Sequence, residues 1–404
     1  MTQTDAEGVF GKLELVTQYA PVRRLADGVL VAAELQIRGR LGSAVDSADS
    51  LRRAARLMQE SDVVDRRKLA VAADTVADED LPVLVTVDVE SIDHSVPSPA
   101  AVPYRQLVSV DPDEFLRRPN DMLAEVARAR QAGHLICVAW LGVTNRAMTL
   151  LWLIEPDVII TAAELLGRSD AEVAQLAHGL TAHVERTGAL VIAEGVDTEG
   201  RRVAAQTIGA DYGIGGLFPV TKKLGDLTGE RCEPLLQQPT RPRPSEAATT
   251  PYLIASAEHT SRRGDKRLLI EMSKALEVQA STAGPGVLVL GTFQEAKQFT
   301  PATAKRWRTL ADRAGFAGVY GVGLSHMLDG KVQHAPLVPT DDLVKEWTVV
   351  VLGPHSAALL AARDREDDVP DLDRTFDVVQ SYDRDLATRA AHSILTRFTV
   401  PTNG

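Results

Sequence analysis

The sequence predicts an α/β protein of two domains. Apolar, β-rich runs alternate with helical patterns through the first 235 residues, which implies βα units and a mostly parallel sheet. Between residues 236 and 250 the chain is polar and carries Pro239, Pro242 and Pro244 within six positions. That stretch reads as a semi-stiff linker. A second, shorter alternation occupies residues 251–404, the size of one compact α/β domain. A chain of 404 residues also exceeds the length at which a single core usually keeps growing.

In the first domain, residues 1–235, strands are expected over Val29–Ile37, Val83–Val89, Leu107–Val110, Leu135–Trp140, Val158–Thr161 and Ala189–Ala193. One βα unit is explicit. Ser169-Asp170-Ala171-Glu172 has the form of a capping box, Val173, Leu176, Ala177, Leu180 and Val184 make a helical stripe, and Gly188 ends it before the next strand. A second unit runs from Asn120 through Met122, Val126 and Ala129 to Gly133. Repetition over about 235 residues fits one (β/α)8 barrel; periodicity alone equally allows a doubly wound sheet.

In the second domain, Leu268, Leu269, Met272 and Leu276 mark a helix and Val287–Leu290 a buried strand. Pro301–Ala314 reads as a helix with Thr300 as cap and Gly315 as stop. Gly318–Gly323 and Trp347–Leu352 read as strands, Asp329-Gly330 as a hairpin turn, and Leu386, Ala390, Ile394, Leu395 and Phe398 as a closing amphipathic helix.

The formal net charge of −11 argues against nucleic acid or an anionic membrane as the main partner. Cys137 and Cys232 are too far apart in sequence and context for a disulfide framework or a metal knuckle. The N-terminal residues lack a basic head and apolar core, and no apolar run approaches about 20 residues. A cytoplasmic protein with small-molecule or protein partners is expected.

Two separated motifs carry more specific information. Tyr19-Ala20-Pro21-Val22 precedes Glu34-Leu35-Gln36-Ile37-Arg38, and far downstream come Ala193-Glu194-Gly195-Val196-Asp197-Thr198, Gly209-Ala210-Asp211-Tyr212 and Gly215-Gly216-Leu217-Phe218-Pro219. In order and spacing this set resembles the EAL domains, barrel phosphodiesterases that linearise cyclic di-GMP. The resemblance implies a (β/α)8, TIM-like barrel of EAL type with a second, smaller α/β domain. In the second domain Ser261-Arg262-Arg263, Leu268 to Glu277, Val287 and Phe293-Gln294 resemble the DICT sensory domain.

The EAL resemblance implies a mouth where several carboxylates hold two divalent cations near a phosphate. By that correspondence Glu34, Asp88, Glu194 and Asp197 retain oxygen ligands, Asp88 in place of an asparagine, and Arg38 retains a phosphate-binding guanidinium. Other positions depart. The family's Asp-Asp-Phe-Gly falls on Ala139-Trp140-Leu141-Gly142, its lysine on Ile160, and its metal-binding glutamate on Ser109 or Val110. Its Gln-Gly-Tyr becomes Ile214-Gly215-Gly216, and Ala20 replaces a glutamine.

These departures imply an inactive, degenerate barrel with no catalytic residues and no bound metal, Mg²⁺ or Mn²⁺ entering only if a phosphodiesterase with a rearranged site of Glu34, Asp88, Asp111 or Asp113, and Glu194 survives. The expected ligand-site residues are Glu34, Arg38, Asp88, Trp140, Glu194, Gly195 and Asp197. A cyclic dinucleotide and a signalling protein are the candidate partners, with a homodimer expected from the family; a ligand-free interaction scaffold is the other alternative.

Simpler structural readings stand beside these. Glu34 and Arg38 can form an ion pair at a barrel mouth, Gly195 can serve a turn, and Trp140 can plug a vacated metal cavity. His178 and His183 do not share a helix face well enough for a metal. Arg262, Arg263, Lys266 and Arg267 read as a solvated basic face. Gly213–Gly216 and Gly321–Gly323 lack the strand-to-helix context of a phosphate loop.

Overall fold

A hairpin opens the first domain. In the computed structural model, which describes residues 9–11, 13–74, 81–92, 104–143, 146–227, 229–235 and 249–398, β1 (Val16–Arg24) pairs antiparallel with β2 (Leu30–Arg38). The expected linker lies mostly outside the described residues. Gly28, at φ 75°, supplies the left-handed backbone of the turn, where a side chain is disfavoured. From β2 the barrel proceeds by parallel pairing through β3 (Val83–Asp88), β4 (Arg105–Ser109), β5 (Leu135–Leu141), β6 (Val158–Thr161), β7 (Leu190–Glu194) and β8 (Tyr212–Ile214). Pairing of β8 with β1, again antiparallel, closes the ring.

The sheet is therefore a closed barrel whose first strand runs against the rest. Neither β1 nor β8 announces itself in the sequence: Pro21 interrupts the first, lacking an N–H for the ladder, and the second is three residues long with Gly213 at its centre. Inside the barrel Val22, Val31, Leu84, Leu107, Cys137, Ile160 and Ile192 pack together, so the bore is a core and not a channel.

Seven helices connect the strands among the described residues: α1 (Ala48–Leu57), α2 (Ser61–Asp74), α3 (Pro112–Arg117), α4 (Pro119–Gln131), α5 (Arg146–Ile154), α6 (Ala171–Thr187) and α7 (Glu199–Thr207). The α6 cap differs from expectation. Asp170, not Ser169, is the N-cap, its carboxylate accepting from the Glu172 and Val173 N–H groups. Gly188 closes the helix in the left-handed conformation at φ 70°.

The second domain is a mixed sheet with helices on both faces. It contains α8 (Pro251–Glu258), β9 (Arg262–Asp265), α9 (Lys266–Thr282), β10 (Leu288–Glu295), α10 (Pro301–Ala311), β11 (Phe316–Val322), β12 (Met327–Asp329), β13 (Val332–Pro336), β14 (Glu346–Leu352), β15 (Ala357–Asp364), β16 (Thr375–Ser381) and α11 (Arg384–Leu395). Strand order is β12-β13-β11-β10-β14-β15-β16-β9. Asp329-Gly330 does turn the β12–β13 hairpin, and Thr300 does cap α10, although that helix stops at Ala311. Lys266 and Arg267 are not a free basic face: they pair with Asp371 and Asp373. One face of the sheet packs with α9 and α10 around Trp307 and Leu276.

The other face meets the barrel. Every residue of α5 from Ala147 to Ile154 is buried, and a helix apolar all round must be covered all round. Its Leu150, Leu151 and Trp152 share one hydrophobic cluster with Leu288, Leu352, Leu386 and Ile394 of the second domain. Polar bonds fix the register of this seam. Trp152 Nε1 donates to the Gly286 carbonyl at 2.7 Å, and the His392 ring lies 2.7 Å from the Leu153 carbonyl oxygen. His183 stacks edge-on to Trp152, and burial pushes its pKa down to about 3. Among the described residues no helix is long and apolar enough to cross a membrane.

Two predictions concern this architecture. Trp152→Ala removes the largest side chain of the seam and is expected to cost about 3–5 kcal/mol, measured by urea unfolding of the full chain; a cost near zero would show the seam to be incidental. The second concerns Glu346, buried beneath the N-terminus of α8, where its carboxylate accepts from the Thr250 hydroxyl and the Tyr252 N–H. Burial pushes its pKa up to about 7 despite those bonds, against about 4.3 in an unfolded chain. The folded state then holds a proton the unfolded state has released, so this contribution is full below about pH 4.3 and lost as the pH rises through 7. Glu346→Gln should flatten the fall in melting temperature between about pH 4.3 and 7; an unchanged slope would assign that fall to other groups.

Candidate ligand site at the barrel mouth

Strand ends and one hairpin edge build the mouth. Asp88 ends β3, Ser109 ends β4, Trp140 lies at the end of β5, Glu194 ends β7 and Ile214 ends β8, while Glu34 and Arg38 point in from β2. A cavity of about 670 Å³ gathers all seven residues singled out in the sequence: Glu34, Arg38, Asp88, Trp140, Glu194, Gly195 and Asp197. It also receives side chains that the motif reading passed over, namely Gln18, Arg52, Arg56, Asp65 and Lys68.

Glu34 and Arg38 do not pair. Glu34 accepts from Gln36 Nε2 at 2.7 Å and from Thr86 Oγ1 at 3.4 Å. Arg38 donates to Gln18 Oε1 at 2.9 Å and to its neighbour's carbonyl at Gly39. Gln18 in turn donates to Gln36, so amides bridge the two charged groups along the β1–β2 edge. Burial raises the pKa of Glu34. It also pushes Glu194 up to about 8, with the Glu34 carboxylate adding to the effect. Beneath them the buried Cys137 thiol is driven well above its ordinary range, first by burial and then by these carboxylates, so it is no nucleophile.

Asp88 is occupied by protein. Its Oδ2 accepts from Arg56 Nη2 at 2.9 Å, and its Oδ1 caps the turn that follows by accepting from the Glu90 N–H. Asp111 repeats the pattern, one oxygen capping α3 through the Glu114 N–H at 2.8 Å and the other on Arg56 Nη1. Burial opposes the charge of Arg56, but Asp111 and Asp88 outweigh it and its pKa rises. Behind them Asp65 accepts from the Asp88 N–H and from Lys68 Nζ, which also reaches the Thr86 carbonyl. Asp113, the other acid considered for a rearranged site, is turned outward and pairs with Arg146.

Trp140 does not fill the mouth; it forms part of the wall. Its backbone is left-handed at φ 57°, a conformation a bulky residue adopts only when its surroundings enforce it. The Arg52 guanidinium lies over the indole, 3.1 Å from the ring centroid, and pairs with Asp49. Arg52 Nε is buried and has no hydrogen-bond partner among the described residues. Arg52 and Arg56 are four apart on α1 and so share a face; Ser47, whose hydroxyl accepts from the Ser50 N–H, starts that helix.

Asp197 and Gly195 shape the opposite rim. Asp197 accepts from the Gly216 N–H at 2.7 Å and from Arg201 at 2.8 Å, which fixes the loop after β7 to the loop after β8. Gly195 stands at φ 74°, and a Cβ there would lie 2.5 Å from Ala163 Cβ.

The residues present do not fit the two-cation site that the family resemblance implies. Asp88 and Asp111 already share a guanidinium, Ala139 and Trp140 bring no oxygen ligand, and Ile160 is buried in the bore. Among the described residues no three Asp, Glu, His or Cys side chains converge in a way that could hold a metal ion.

The EAL domain profile matches residues 7–219, more than half of the chain. The chain belongs to the EAL domain family. Residues 253–365 match the DICT profile, described as a sensory domain in diguanylate cyclases and two-component systems. No curated protein matches the chain. Among solved structures, the EAL barrel is similar to the PaMucR phosphodiesterase in its c-di-GMP complex, at 14% identity and TM-score 0.44, covering 53% of this chain and 94% of that one. Klebsiella pneumoniae BlrP1, a manganese and cyclic di-GMP complex, gives 19% and 0.42 over 52% of this chain and 56% of its own. The Xanthomonas citri FimX EAL domain with c-di-GMP gives 16% and 0.40 over 51% and 87%.

Gly195→Ala tests the rim. The left-handed backbone and the collision with Ala163 together are expected to cost about 1–3 kcal/mol, read as a lowered melting temperature; an unchanged melting temperature would mean the EAL motif glycine is not needed for this turn.

Proposed function

We propose that this protein is a degenerate EAL-domain signalling protein without phosphodiesterase activity, whose barrel mouth binds a nucleotide, cyclic di-GMP first among candidates, or a protein partner, and whose occupancy is coupled to the DICT domain. The observation that carries the proposal is the chemistry of β5 and β6. Ala139 and Trp140 stand where the family resemblance requires paired carboxylates, and Ile160 stands where it requires a lysine. Without them the mouth lacks the ligands to hold two cations, the water that such cations activate, and the ammonium that would position it.

Binding is a separate matter from turnover. The cavity remains open and carries Arg38, Arg52, Lys68, Gln18 and Gln36 as donors beside the Trp140 indole. Guanidinium and amide groups suit phosphate and base edges. Coupling has a physical route, because β5 carries Trp140 at the mouth and the chain then enters α5, which is sealed against the second domain. A ligand that moves Trp140 acts on an element packed against the DICT sheet. Cytoplasmic residence, expected from the cysteine usage and the lack of an apolar span, and pairing of two copies, expected from the family, belong to the same proposal.

Two measurements test it. Purified full-length protein given cyclic di-GMP with Mg²⁺ or Mn²⁺ should release no linear dinucleotide; turnover abolished by Glu34→Ala would establish an active enzyme instead. Calorimetric titration should give saturable heat that Arg38→Ala removes. No heat for cyclic di-GMP would sink the cyclic di-GMP assignment and leave the protein partner.

A further inference from the structure

We propose that Arg56 is a resident cation: its guanidinium holds the place between the β3 and β4 strand ends that a divalent metal would otherwise take, so Asp88 and Asp111 are bridged without any metal. The geometry is specific. Asp88 and Asp111 terminate or follow adjacent parallel strands, and each spends one carboxylate oxygen on capping the next helical turn. Each has one oxygen left to turn inward. Arg56 takes both, Nη2 on Asp88 and Nη1 on Asp111. A planar guanidinium with a fixed fork of donors can span two carboxylates in this way, which a lysine ammonium cannot do with the same geometry.

The surroundings lock that cation in place. Asp65 holds the Asp88 backbone N–H at 2.8 Å and is itself neutralised by Lys68 at 3.0 Å. Arg56 arrives from α1, whose preceding turn lays Arg52 on Trp140. Two acids at a strand-end pair would repel each other if left bare, and removing the single group between them leaves uncompensated carboxylates in a largely enclosed site. The same two oxygens, freed, are hard ligands of the kind Mn²⁺ and Mg²⁺ accept. The resident side chain therefore competes with metal at unit effective stoichiometry and is never diluted away.

The inference does not depend on nucleotide binding. Thermal melts of the full chain, read by circular dichroism with millimolar Mn²⁺ or with EDTA, separate it from the functional proposal. The wild-type melting temperature should be the same in both buffers. Arg56→Ser should melt lower than wild type in EDTA and recover part of that loss in Mn²⁺, because the metal now satisfies Asp88 and Asp111. The triple variant Arg56→Ser, Asp88→Asn, Asp111→Asn should show no Mn²⁺ response. If Arg56→Ser does not fold, Mn²⁺ titration of the wild type followed by electron paramagnetic resonance decides: loss of free-ion signal at one or two equivalents overturns the inference, and an unchanged signal supports it. A folded Arg56→Ser that ignores Mn²⁺ also overturns it. A wild type that binds Mn²⁺ yet hydrolyses nothing would sink this inference and leave the functional proposal standing.

Discussion

A helix with no polar side cannot face water, and α5 is such a helix. From Ala147 to Ile154 its side chains are buried on every side, so the barrel alone leaves an apolar surface that something must cover. The second domain covers it with β10, β14 and α11, and the tryptophan N–H and histidine ring contacts set the register. Burial of that size gives the association its free energy, while the two polar bonds decide which of many apolar contacts is made. The two domains are thus one packed body at this seam, with Arg384 of α11 held against the Gly353 and Pro354 carbonyls beside Trp152. Burial lowers the pKa of Arg384 to about 10, which leaves it charged near neutral pH.

At the mouth the governing constraint is charge balance. Acids outnumber bases among the lining residues, yet several of them have a cationic partner close by. Asp88 and Asp111 share Arg56, Asp65 has Lys68, Asp49 has Arg52 and Asp197 has Arg201. Glu34 is held by neutral donors, and its pKa and that of Glu194 rise. An EAL mouth built for cations would instead keep its carboxylates bare and aimed at a common point. This one sets side-chain cations from α1 and α2 against its carboxylates and carries an indole at the end of β5, which is the ground for proposing recognition in place of metal-assisted hydrolysis.

Much of this was legible in the sequence. The βα alternation, the Gly188 stop, the Thr300 cap and the Asp329-Gly330 turn are local signals, and local backbone chemistry decides them. Glu34, Asp88, Glu194 and Asp197 share one cavity because the inner edge of β2, the end of β3, and the end of β7 with the loop after it converge at the mouth. What escaped was set by tertiary context. Strand β1 hides behind Pro21, β8 is too short for a period, and β15, β16 and α8 went unassigned because Ala-rich and mixed runs give no clear alternation. Arg52 and Arg56 could have been noticed as a pair four apart, but basic residues on an amphipathic helix ordinarily face solvent. Nothing in one sequence says that this helix turns them inward. The Glu34–Arg38 pair failed for the opposite reason: four positions apart on a strand they share a face, yet Gln18 and Gln36 intervene.

The central claim is that a mouth no longer built for metal chemistry remains wired to the sensory domain through α5. Hydrogen exchange of the full chain, with and without saturating cyclic di-GMP, tests it most directly. The account predicts slowed exchange in α1 and at the end of β5 together with a change in α5 and in the 284–287 segment that faces it. Protection confined to the mouth would contradict the coupling, and no change anywhere would contradict the mouth as a receptor for this nucleotide.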